Sequence, residues 1–247
     1  MAISSKSRAT VPVPTTRNLV TVVLCALTVG CSFERGQVTP PANSETTATD
    51  ESPDPKAPGQ EETMSESTLQ TATFGAGCYW CTEAIFQRVD GVEDVVSGFM
   101  GGHVENPTYE QVCMMDTGHA EVIHFNYDPQ KVSYDELLEI FWKTHDPTTP
   151  NQQGADVGPQ YRSAVFYHTP EQKQTAEKYK AKLDEAGAFD NPIVTEISEA
   201  APFYAAKSKH QNFYNSDPTH NYCSYVIRPK LQKFEAVFAD KLKADEK

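Results

Sequence analysis

The chain has 247 residues, 38% of them hydrophobic, and a formal charge of −13 at neutral pH, enough for one packed domain of ordinary size plus extensions. That acidity, with no cluster of Lys and Arg interleaved with aromatics, excludes a phosphate-tracking surface and therefore nucleic acid as a partner.

Residues 1–31 read as an export signal. Lys6, Arg8 and Arg17 precede an uncharged apolar run from Leu19 to Gly30, the arrangement of a secretory leader. Its twelve residues fall short of the roughly twenty that a bilayer span needs. The run ends Leu27-Thr28-Val29-Gly30-Cys31, which resembles a bacterial lipoprotein cleavage box with Thr28 in place of the usual Leu. The expectation is an exported protein lipidated at Cys31 and tethered on the extracytoplasmic side, in the periplasm where the cell has two membranes. Plain secretion and an uncleaved anchor are the alternatives. Cys25 is lost with the leader.

Residues 32–68 hold eight acidic residues against Arg35 and Lys56, five prolines, and Phe33 as their only aromatic. Such a stretch buries too little apolar surface to offset ordering entropy and is expected to be a disordered tether.

Residues 69–247 form the expected domain. A strand over Thr71 to Phe74 runs through Gly75-Ala76-Gly77 into a helix from Cys78 to Val89. Val92 to Phe99 and His119 to Tyr127 read as strands, followed by a helix from Tyr134 to His145 with Ser133 and Glu136 spaced as a capping box. Tyr161 to His168 is a fourth strand; Thr169 and Pro170 then open a helix to about Ala186, with Gln172 as capping partner. Ile193 to Ile197 reads as an edge strand, and a loop-rich tail leads to a last helix near Pro229. The fold expected is α+β, a ferredoxin-like two-layer sandwich with a mixed, mostly antiparallel sheet and helices packed on it.

Cys78 follows a glycine turn and opens a helix, where unpaired backbone N–H groups favour thiolate over thiol. A lowered pKa and a nucleophilic role are expected, the alternative being a buried, inert cysteine. With Cys81 it makes a Cys-x-x-Cys pair. No second pair or His-x3-His supplies the remaining zinc ligands, so no metal is expected. The Tyr79-Trp80 insert is unlike the Pro or Gly usual in thioredoxin-like pairs.

Period-two alternation puts Glu121 on the face of Ile123, Phe125 and Tyr127. A carboxyl there has its pKa raised by desolvation and can serve as an acid, unless it sits at a strand end facing solvent. Tyr109, Asp156 and Tyr161 lie in irregular segments, where tyrosines often serve packing alone. Cys113 reads as a buried spectator, and His119 receives no role. Cys223, on the tail, suits a resolving thiol that reaches an oxidised Cys78, with a plain structural cysteine as the alternative.

Together these residues resemble the peptide methionine sulfoxide reductase A family. Gly77-Cys78-Tyr79-Trp80-Cys81-x-Glu83 is similar to its signature, with Tyr79 where Phe is more frequent. Matches continue through Gly101-Gly102, Asn106-Pro107-Thr108-Tyr109, Thr117-Gly118-His119-Ala120-Glu121, His145-Asp146-Pro147, Gln160-Tyr161-Arg162-Ser163, His210-Gln211 and Tyr222-Cys223, spanning about Ala72 to Phe234. The resemblance implies that Tyr79 and Trp80 cradle the methyl group of a methionine sulfoxide in proteins, peptides or the free amino acid. Glu121, Tyr109 and Tyr161 bind its oxygen, and Asp156 supports that side. It further implies attack by Cys78, a sulfenic acid, a disulfide to Cys223 or else Cys81, and reduction by an external thioredoxin-type partner. Neither metal nor organic cofactor is needed, the S epimer is the substrate, and a monomer is the working expectation. A general thiol-disulfide oxidoreductase using Cys78 and Cys81, or a tethered binding protein with a structural thiol, are the rivals.

Overall fold

The computed structural model describes residues 69–244. The leader with Cys25 and Cys31 and the tether at 32–68 lie outside the described residues.

The elements in chain order are β1 (Gln70–Ala76), α1 (Tyr79–Phe86), β2 (Val92–Met100), α2 (Tyr109–Cys113), β3 (Ala120–Tyr127), α3 (Tyr134–Thr144), β4 (Gln152–Gln153), β5 (Asp156–Val157), β6 (Ser163–Tyr167), α4 (Pro170–Glu185), β7 (Glu196–Glu199), β8 (Tyr204–Ala205), α5 (Phe213–Ser216) and α6 (Arg228–Val237). The main sheet runs β7-β6-β1-β3-β2-β8. β1, β2, β3 and β6 pair antiparallel, with α1 and α3 as crossovers, which is the split βαβ arrangement of a ferredoxin-like α+β sandwich. β7 extends it parallel to β6, after the α4 crossover that a parallel pair requires. β8 closes the other edge, and β4 and β5 form a small hairpin of their own.

Alternation decides which strand residues enter the core. Phe74, Phe125 and Tyr127 point to the helical face, where Phe74 meets Phe86 and Phe125 edge-on, each at 5.6 Å between ring centroids. These rings anchor the sandwich, and truncating one such buried Phe to Ala costs about 3–5 kcal/mol. The opposite face is smaller: Met100, Ala120, Val122, Ala164 and Phe166 are capped by Ala200, Ala201 and Phe203. Gly98 makes that cover fit, because a Cβ there would stand 2.4 Å from the Phe203 ring.

The expected boundaries hold with small shifts. Ser133 and Glu136 cap α3 reciprocally. Thr169 accepts from Gln172 N as expected, but the Gln172 side chain accepts instead from His168 N, so the box is open. Tyr161 belongs to a 3-10 turn that ends before β6 starts at Ser163. The edge strand falls at Glu196–Glu199, three residues later than expected, because its register is set by pairing with β6. α2, whose Thr108 and Gln111 form a capping box of their own, was not anticipated.

Candidate active site

β1 ends in a turn where Gly77 has φ +92°, and a Cβ there would collide with the Gln153 side chain at 2.5 Å. Only glycine meets both conditions. The turn delivers Cys78 as N-cap of α1, making no side-chain capping bond. Across the pocket, β3 brings Glu121 onto the core face as expected. It is 1% exposed, and its Oε2 accepts a hydrogen bond from Tyr79 N at 3.1 Å.

Cys78, Tyr79, Trp80, Tyr109, Glu121, Asp156, Tyr161 and Tyr222 line a single cavity of about 190 Å³. All seven pocket residues named from sequence are therefore brought together, from five separate segments, and the tail adds an eighth. Tyr222 enters the sequence reading only through the Tyr222-Cys223 match, with no place in the pocket, because periodicity marks no contact between a tail residue and segments so distant in sequence. Its hydroxyl donates to Asp156 Oδ2 at 2.6 Å and lies 3.7 Å from Cys81 Sγ. Trp80 is clamped by rings of the same tail, stacked on Phe213 at 3.8 Å and on His210 at 5.7 Å.

Burial governs the protonation states. It pushes Glu121 up to about 8, helped by the charges of Asp156 and Cys81, so the carboxyl holds its proton at neutral pH. Burial first, then the Glu121 charge, raises Tyr161; burial and a hydrogen bond to Cys113 raise Tyr109. Both phenols remain donors. The expectation of a lowered Cys78 pKa is not met. Burial, the hydrogen bond to Cys81 and the Glu121 charge hold it well above the ordinary thiol value, outweighing one short helix end. The hydrogen bond from Cys78 instead favours ionised Cys81, pushed down to about 7. The two thiols titrate as a pair whose first proton leaves near neutrality and whose second leaves far above it.

Three further cysteine and histidine expectations change or fill in. Cys223 is not on a mobile tail: it is 0% exposed, in a π-helical turn, Cys223–Ile227, continuous with α6, and burial, then the charges of Asp217 and Cys81, raise its pKa. Cys113 is partly exposed and hydrogen-bonded to Tyr109, not a buried spectator. His119 is structural, accepting from Gly102 N at 3.0 Å through Nδ1 and pairing Nε2 with Val104 O at 2.8 Å. Glu83 of the signature is a strut: 1% exposed, it accepts from Asn212 N at 2.9 Å and ties α1 to the tail. Tyr79 is 1% exposed and its hydroxyl has no hydrogen-bond partner among the described residues, so the extra oxygen neither faces out nor finds a partner. No cluster among the described residues could hold a metal ion.

The sequence profile of the peptide methionine sulfoxide reductase family matches residues 70–242. The MsrA of Ralstonia nicotianae is 52% identical over 190 residues, covering 75% of this chain and all of that protein, and the MsrA of Natronomonas pharaonis is 50% identical over 172 residues, 70% of this chain and 97% of that one. Methionine sulfoxide reductase A of Corynebacterium diphtheriae superposes with a TM-score of 0.55 at 37% identity, covering 61% of this chain and 76% of that one. The reduced form of Mxr1 from Saccharomyces cerevisiae superposes at 0.58 with 31% identity, covering 63% and 89%.

The chain belongs to the peptide methionine sulfoxide reductase A family. It is an oxidoreductase of methionine sulfoxide, and its pocket combines a thiol, an aromatic wall and the proton-bearing oxygens of Glu121, Tyr109 and Tyr161. That wall carries a polar atom, Tyr79 Oη, without a partner among the described residues.

Proposed function

We propose that the enzyme reduces the S epimer of methionine sulfoxide, in proteins and as the free amino acid, through a sulfenic acid on Cys78. The observation that carries this reading is a buried, protonated Glu121 in the same cavity as the Cys78 thiol. The substrate methyl group lies against Tyr79 and Trp80, and its oxygen accepts hydrogen bonds from Glu121, Tyr109 and Tyr161. The Cys78 sulfur attacks the sulfoxide sulfur while Glu121 protonates the oxygen, and the thiol proton passes to the carboxylate this leaves on Glu121, so the net transfer is one proton from sulfur to oxygen. The S–O bond breaks, the oxygen ends on Cys78 as sulfenic acid, and methionine leaves with two more electrons on sulfur than the sulfoxide had. Asp156 acts through Tyr222, whose hydroxyl it holds beside the thiols.

A second thiol then condenses with the sulfenic acid, releasing water and leaving a disulfide. Cys81 is the first partner in this reading, because it already shares a hydrogen bond with Cys78 and carries the lower pKa; Cys223, buried and within reach of the Cys81 charge, receives the disulfide second. An external dithiol of the thioredoxin type supplies two electrons and two protons to restore the thiols. The physiological setting proposed is repair of oxidised proteins outside the cytoplasm by a monomer lipidated at Cys31. Globomycin sensitivity and the mass of the mature N-terminus test the anchor. Single-turnover assays test the chemistry: wild type is expected to release one methionine per chain from the S sulfoxide without reductant. Cys78→Ser is expected to release none while keeping its fold, and turnover by that variant overturns the reading.

A further inference from the structure

A second cavity, of about 500 Å³, opens between the C-terminal end of α3 and α6. Lys143, Lys230 and Lys233 stand around it, and Phe234, Val237 and Phe238 are its apolar lining. Val237 is 54% exposed, and Lys143 Nζ sits 5.6 Å from the centroid of the Phe238 ring. The only carboxylate lining it, Asp146, is engaged by the Thr148 amide and hydroxyl at 2.9 and 2.6 Å. Lys143 is already paired with Glu139 one helical turn away, whereas among the described residues no carboxylate pairs with Lys230 or Lys233. On a chain of charge −13 this is a local reversal of sign beside uncovered apolar surface, the combination that selects an acidic and partly apolar partner.

The cavity adjoins the reaction site. Gln153 lines it, and the same side chain packs on Gly77, the residue before Cys78. Gln153 also pairs in the β4–β5 hairpin with Asp156, which lines the sulfoxide pocket. Gln153, held by its Nε2 donating to Asp146 O at 3.0 Å, thus links the lining of this cavity to the segments that carry Cys78 and Asp156. A polypeptide with its oxidised methionine beside Cys78 has to leave the pocket over one of its rims, and this rim leads to basic and apolar contacts.

We propose that the cavity between α3 and α6 is a peptide subsite, which takes an acidic residue and a neighbouring apolar side chain flanking the methionine sulfoxide in a protein substrate. Lys230 and Lys233 hold the carboxylate, with Lys143 adding to the local field, and Val237 and the two phenylalanines receive the apolar group. The inference rests on methionine sulfoxide reduction in the adjoining pocket and adds a preference among polypeptide substrates. Free methionine sulfoxide, which has no flanking residues, does not reach the subsite.

The test compares single-turnover efficiency on free S sulfoxide and on three peptide sets in which the residues around the sulfoxide are Glu and Leu, Gln and Leu, or Lys and Leu, on either side. Wild type is expected to favour the Glu peptides over the Lys peptides by about tenfold at low salt, with the preference shrinking as salt rises. Lys143→Glu combined with Lys233→Glu, both exposed positions, is expected to erase or reverse that preference and leave free sulfoxide unchanged. Lys230 stays intact because its charge reaches Cys81. Equal use of the three peptide sets by wild type, or an unaltered preference in the double variant, overturns the proposal. A defect that shows only when a thioredoxin-type donor recycles the enzyme assigns the cavity to the reductant and likewise overturns it. Wild type that fails on free sulfoxide overturns the underlying chemistry instead.

Discussion

Tyr79 N donates to Glu121 Oε2 at 3.1 Å across 42 residues of sequence, so the first amide of α1 holds the acid of β3 in place next to the nucleophile's own residue. One hydrogen bond thereby joins helix start and strand. It favours the carboxylate, yet burial wins and keeps the proton on.

Replacing Glu121 by Gln keeps the shape and removes the transferable proton. Methionine release in single turnover is expected to fall about 10²- to 10⁴-fold. In wild type the rate is expected to decline as pH rises through about 8, where Glu121 loses its proton, and that limb is expected to vanish in Glu121→Gln. The stability effect has the opposite merit. A carboxyl whose folded pKa is raised stabilises below its unfolded value and loses that contribution as pH rises to about 8. Glu121→Gln is therefore expected to have a higher Tm than wild type at pH 8.5, measured by calorimetry; a lower Tm contradicts the assignment.

Tyr79→Phe removes a buried hydroxyl that has no partner. Stability is expected to rise by about 1–3 kcal/mol, with single-turnover rate within a few-fold of wild type because the ring, not the oxygen, walls the pocket. Denaturant midpoints and methionine release check both halves, and loss of activity removes Tyr79 from the role of an apolar wall.

The order of thiols is open to peptide mapping after one turnover under alkylating quench. Cys223→Ser is expected still to form the Cys78–Cys81 disulfide, whereas Cys81→Ser is expected to accumulate sulfenic acid on Cys78. A Cys78–Cys223 bridge forming at wild-type rate in Cys81→Ser contradicts the relay.

His145 is half-buried, with Nδ1 2.6 Å from Phe141 O and Nε2 2.7 Å from Ser163 Oγ, and desolvation of its ring pushes its pKa down to about 4. His124 and His168, both 2.8 Å from Thr73 Oγ1, are lowered by burial as well. A depressed histidine contributes stability above its unfolded value, near 6.5, that is lost as pH falls toward the folded value. Tm is expected to drop from pH 6.5 to pH 4, with the His145 ring signals in NMR unchanged until near pH 4. A flat Tm across that window refutes the mechanism.

Much of this protein is readable from local pattern. Alternation through Glu121, Ile123, Phe125 and Tyr127 assigns a strand and places a carboxyl among apolar side chains, because side chains two apart must share a face. The glycines before Cys78 and the caps at Ser133 and Thr169 mark turns and helix starts through backbone chemistry that acts within four residues. The motifs around Cys78, Tyr109, Glu121 and Tyr161 name a family and, with it, a pocket. What pattern does not carry is what distant segments do to one another. Whether Cys78 is ionised depends on burial and on Cys81 and Glu121 acting together, and the helix end alone points the wrong way. Tyr222 enters the pocket, and Cys223 leaves the surface, only because the tail packs on Trp80 through His210 and Phe213. Local periodicity determines which elements form and which residues face inward; charge state and neighbourhood are decided by tertiary packing, since desolvation and Coulomb forces act through space and not along the chain.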